Sequence, residues 1–140
     1  MSIDCEVSLK SLLFVTESVE NLLGLHGSQA VLRSAGRRAA ASLIDMLPLT
    51  LAEDEALLRV GGILVELGFV ASLERFSPDT LRVGGNRVLE ELAQLGLASS
   101  GSARYYVIGL FEGFFKQLCG SAGKIVSVEA DSNYEYWKLG

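Results

Sequence analysis

The run from Tyr105 to Cys119, YYVIGLFEGFFKQLC, constrains the fold more than any other. As a helix, Tyr106, Val107, Leu110, Phe111, Phe114 and Leu118 cover more than one face. Such a helix has to be central and buried. Gly109 and Gly113 lie four apart, a notch of the kind that lets a second backbone come close. Glu112 and Lys116 are spaced as an i, i+4 pair, and the pairing is expected to mark the exposed face.

The other elements are arranged around it. Leu9, Leu12, Leu13, Thr16, Val19, Leu22 and Leu23 give an amphipathic helix over 9–23, punctuated by Gly24 and Gly27. A second helix is expected over 28–47, with Leu32, Gly36, Ala39 and Leu43 as a stripe of mostly small residues, and Pro48 ends it. Thr50-Leu51-Ala52-Glu53 reads as a capping box that starts a third helix, closed by Gly68. Gly61 and Gly62 each cost that helix about 1 kcal/mol against alanine. FVASLERF, the turn SPDT and LRV read as a β-hairpin, and GGN at 84–86 breaks its second strand. A short helix over 88–96, a loop ASSGS, the central helix and a closing hairpin KIVSVEA-DSN-YEYWKL complete the chain. The order α-α-α-β-β-α-α-β-β implies an α+β class, with helices on one face of an antiparallel sheet. The 140 residues are read as one domain, 1–140.

Composition removes several functions. The chain is 49% hydrophobic and 21% charged, ordinary for a globular protein. Its net charge of −5 makes nucleic acid a poor partner. The densest basic cluster, Arg33, Arg37 and Arg38, is read as a solvated helix face rather than an anion site. The longest apolar stretch is far short of the ~20 residues a spanning helix needs, so no integral membrane segment is expected. The N-terminus shows no signal-peptide pattern, and Cys5 and Cys119 form no metal or disulfide pattern, which together suit a cytoplasmic chain.

Catalytic chemistry is not visible. The lone His26, between Leu25 and Gly27, has no serine or cysteine partner in view, and the carboxylates are scattered. His26 as an axial ligand to a tetrapyrrole metal is the alternative to an ordinary loop or helix-start histidine, which is preferred. The glycines of RVGGN match neither a dinucleotide fingerprint nor a P-loop. The chain is therefore read as not an enzyme, with no metal site and no assigned cofactor. The aromatics Phe69, Phe76, Phe111, Phe114, Phe115 and Trp137 could either line an apolar cavity or fill a core.

The closing third resembles the 4-vinyl-reductase-type (hydrocarbon-binding) domain family. In that family a helix GxxxGFxxxLxG leads into a strand rich in Val and Glu, then a final strand. Here Gly109, Gly113, Phe114, Leu118 and Gly120 match the helix, and Ile125, Val126, Val128 and Glu129 match the strand. AVLRSAGRRAAASL resembles the family's early small-residue helix around Gly36. The family is related to TRAPP core subunits and haem-nitric-oxide-binding domains. The resemblance implies a non-enzymatic carrier or sensor for a hydrophobic small molecule, with a tetrapyrrole as the candidate ligand, and a homodimer formed through the N-terminal helices. It puts the pocket between the sheet and the closing helix, lined by Phe69, Phe76, Tyr106, Phe111, Phe114 and Trp137. Many members carry cysteines in the last hairpin around a Gly-Asp-Pro turn. Asp131, Ser132, Asn133 and Tyr134 stand there instead, so no thiol-based role carries over. With no DNA-binding or ATPase module in view, a one-chain transcriptional activator is not expected. The alternative is a protein-binding assembly factor or scaffold, for photosynthetic complexes among others, using a helical dimer face near Gly36 and Gly61.

Overall fold

The computed structural model describes residues 3–43, 50–94, 103–120 and 123–140, with side chains of 3–13, 16 and 91–93 left aside. The elements are α1 (Ile3–Leu43), α2 (Glu53–Glu66), β1 (Ser72–Ser77), β2 (Thr80–Gly84), α3 (Arg87–Gln94), α4 (Arg104–Cys119), β3 (Ile125–Ala130) and β4 (Tyr134–Leu139). The class is α+β, as expected. The Pro48 stop and the ASSGS loop lie outside the described residues.

The two expected N-terminal helices form one element, α1, interrupted at Gly24. There φ is 74° and ψ −177°, a backbone state essentially reserved for glycine. Gly27, by contrast, stays within the helix. Past the bend, Leu32 and Ala40 are buried and α1 lies against α4. A Cβ at Gly36 would overlap the Tyr106 carbonyl oxygen, and one at Gly109 would overlap that of Arg33. The small residues of both helices thus serve a backbone contact inside one chain. That corrects the expectation of a dimer face at Gly36. Gly61 is also spent internally, its position for a Cβ 3.1 Å from the Leu73 oxygen of β1.

The capping box does not form. α2 is capped by Ala52 without any side-chain hydrogen bond. The physical reason lies upstream: the Leu51 N–H donates to the Leu118 oxygen at 2.9 Å, tying an extended segment to the end of α4. Thr50 is thereby held outside the first turn, and Glu53, Asp54 and Glu55 supply its negative charge. The helix ends at Glu66, and just past it Gly68, φ 84°, turns the chain back so that Phe69 N–H donates to Leu64 O. This wrap keeps 69–71 out of the expected strand, and β1 begins at Ser72.

The four strands form an antiparallel sheet in the order β1-β2-β4-β3. Leu81, Val83, Trp137 and Ile125 are buried on the face toward the helices. Glu74, Arg82 and Tyr136 follow one another on the other face. In the closing turn, Asp131 Oδ1 accepts from the N–H groups of Asn133 and Tyr134 at 2.8 and 2.7 Å. The DSN turn is therefore an Asx turn.

Candidate functional site

The carboxylate of Glu112 organises the middle of the molecule. Its position on α4 points it into the α1 contact, where only 5% of the side chain is exposed. Arg33 donates to it twice, from Nε at 2.8 Å and from Nη2 at 2.5 Å. Arg37 Nε donates at 2.9 Å, and the backbone N–H of Ile125 at 3.0 Å. Arg33 Nη2 also donates to the Ile125 oxygen. One acid so joins α1, α4 and β3.

This corrects two expectations. Glu112 does not pair with Lys116 on an exposed face, and Arg33 and Arg37 are not simply solvated. The missing signal was tertiary: Arg33 and Glu112 are 79 residues apart. Arginines spaced four apart on the helix that carries Gly36 were the available hint. Arg33 sits on the same face as the glycine, one turn before it, and Arg37 lies one turn beyond Arg33, so the pair borders whatever the glycine touches. Burial alone would push the Glu112 carboxyl up, but the bonds from Arg33, Arg37 and Ile125 outweigh it and hold it below the usual carboxylate range. The Arg33 guanidinium is raised in turn, chiefly by its hydrogen bond to Glu112.

With Glu112 turned inward, Lys116 makes no ion pair among the described residues. It faces a groove of about 720 Å³ on the α1–α4 seam, with Gly113 and Ala41 in its wall and Arg37, Arg38 and Lys124 around it. A second hollow of about 360 Å³ adjoins along Arg37 and Lys124 and reaches His26, Arg33 and Tyr105. His26 is exposed there. Among the described residues no group of His, Cys, Asp and Glu is arranged to hold a metal ion.

The six aromatics expected around a pocket do not share one place. Phe111, Phe114 and Trp137 are completely buried, and Tyr106 is nearly so. Phe111 stacks on Phe115 with centroids 5.7 Å apart and meets Trp137 edge-on at 6.0 Å. These rings occupy the space between α4 and the sheet. The Trp137 indole N–H donates to Glu135 at 3.1 Å, and Arg104 holds the same carboxylate. Phe69 is half-buried beside Tyr106, and burial pushes the Tyr106 hydroxyl up. Phe76 is 58% exposed and packs edge-on against Tyr136, on the far face of the sheet. None of the six lines the 720 Å³ groove. Gly113 does, and it is also the packing notch expected of it, since a Cβ there would lie 2.6 Å from Ala40 Cβ and 2.9 Å from the Arg37 oxygen.

Fold and groove together define an α+β domain with a cationic hollow on a helix–helix seam. No family model and no curated protein matches this chain. No helix among the described residues is long and apolar enough to cross a membrane.

Proposed function

We propose that the chain is a non-enzymatic binding domain for a hydrophobic small molecule, acting as a homodimer. The observation that carries this reading is the groove of about 720 Å³ between α1 and α4, within the size range of small-molecule sites. The ligand sits there rather than behind α4, where Phe111, Phe115 and Trp137 already pack on one another. A non-enzymatic role is supported by Glu112. It is the carboxylate at the groove, and Arg33 and Arg37 hold it ionised, so it is ill-suited to deliver a proton. A tetrapyrrole remains the ligand suggested by resemblance.

A specific observation favours the second reading, a protein-binding assembly factor. Before the bend, α1 exposes Phe14, Val15, Leu22 and Leu23, with Leu22 84% exposed. Contiguous exposed apolar residues mark contact surfaces. Native mass spectrometry and an absorbance spectrum on protein purified from its own host decide between the two. A dimer with added small-molecule mass supports the carrier reading, and a visible band identifies a pigment. A colourless dimer without added mass, co-purifying with another protein, overturns it in favour of assembly.

A further inference from the structure

We propose that the seam groove selects an amphiphilic anion: an apolar body lying along Gly113 and Ala41, with a carboxylate head held by Arg38, Lys116 and Lys124. The inference rests on the binding-domain reading above and adds the ligand's charge. The chain as a whole is acidic, at −5, yet four cations border this one hollow. They come from three separate segments: Arg37 and Arg38 from α1, Lys116 from α4, and Lys124 from just before β3. A single solvated helix face would not bring those segments together. Arg38, Lys116 and Lys124 make no ion pair with any described residue. The nearby acid is already committed, because Glu112 is shared by Arg33 and Arg37. Cations that no described residue pairs, set around a concave wall, concentrate positive potential and favour a bound anion. The rest of the lining is Ala41, Gly113 and Gly123 with Gln117 and the Arg-bound Glu112, and the glycines, the alanine and the methylene stems of the long side chains give an apolar body a place to lie. Charge and shape therefore ask for both parts in one molecule.

The test is isothermal titration with three probes, octanoate, 1-octanol and acetate, on the full chain and on Lys116→Met/Lys124→Met. Both lysines are exposed, and methionine keeps an apolar stem, so the variant should fold; circular dichroism and thermal melting check this. The expected result is octanoate binding at least tenfold tighter than either other probe, with that preference lost in the double variant. Equal binding of octanoate and octanol overturns the anion selection and leaves the hydrophobic-ligand reading standing. Equal binding of octanoate and acetate overturns the amphiphile and makes the groove a plain anion site. Binding of none of the three overturns both readings.

Discussion

The stretches of α1 on either side of Gly24 both carry leucine and valine at helical spacing, with alanine confined to the second, and they end in opposite surroundings. After the bend, Leu32 is 4% exposed, Gly36 meets the backbone of α4, and Arg33 reaches Glu112. Before it, Phe14 and Leu23 are half-exposed and Leu22 is nearly bare. Apolar or small residues at helical spacing run through both stretches, which accounts for both being helical. What separates them is the small-residue stripe and the arginines that flank it. A glycine stripe lets two backbones approach, and the paired charges choose the partner that can satisfy them. The first stretch has apolar residues without either device: Val19 packs against the core, while Phe14, Val15, Leu22 and Leu23 stay exposed.

Breaking the seam should have the largest effect. Valine at Gly36 would drive its branched side chain into the Tyr106 carbonyl and the backbone at Leu110. Gly36→Val is expected to cost more than about 3 kcal/mol, beyond ordinary overpacking, because backbone rather than a pliant side chain is in the way. The urea midpoint should collapse or the chain fail to fold. A mild loss would mean that α1 and α4 are not in backbone contact.

Glu112→Gln comes next. Removing one partner of a buried pair leaves the Arg33 charge uncompensated, at a cost of about 3 kcal/mol at neutral pH. The pH dependence follows from the direction of the carboxyl shift. Its folded value lies below the unfolded one. The stabilisation is therefore full above the ordinary carboxylate range, and it fades as pH falls through the folded value. Urea midpoints measured across that window should slope for the native chain and flatten for Glu112→Gln. Identical slopes would show that Glu112 contributes no pH-dependent stability.

The fold was largely legible because its signals are local. The bend at Gly24, the Gly68 cap, the SPDT turn and the Asx turn at Asp131 each depend on residues within a few positions. The site was less legible because its contacts are long-range. An i, i+4 spacing made Glu112 and Lys116 look like partners, while the competing arginines lie far back in the chain. The donors decided the outcome against desolvation: with Glu112 rotated into the seam, two guanidiniums and a backbone N–H are within reach, and Lys116 is left exposed. Thr50 failed as a cap for a related reason, since a bond from Leu51 to α4 set where α2 could begin. The aromatics were ambiguous from the start, because a filled core and a lined cavity use the same residues. Only Phe76 carried a distinguishing sign, its place in the alternation of β1, which puts it on the same face as Glu74.

Gly24→Ala sharpens the comparison with a smaller effect. A Cβ there would meet nothing within 4 Å, so any cost is conformational. Holding alanine in that backbone state should lose about 1–2 kcal/mol if the bend is kept. That is the expected outcome, read from chemical denaturation. Unchanged stability together with greater helical dichroism would show instead that α1 straightens, and that nothing holds its first stretch at an angle.

Leu22→Ala should have the least effect on the isolated chain. Its side chain is 84% exposed, so truncation removes almost no buried surface, and stability in dilute solution should stay within about 0.5 kcal/mol. The same change ought to weaken self-association, because a leucine this bare on a helix with apolar neighbours gains most from being covered by a second copy. Sedimentation velocity over a range of concentrations reads this directly. A weaker dimer with unaltered dilute stability would place the interface on α1 before the bend. An unaltered dimer would leave that face to another protein, and a large loss of dilute stability would mean that Leu22 is covered within the chain, so that the two stretches of α1 differ less than they appear to.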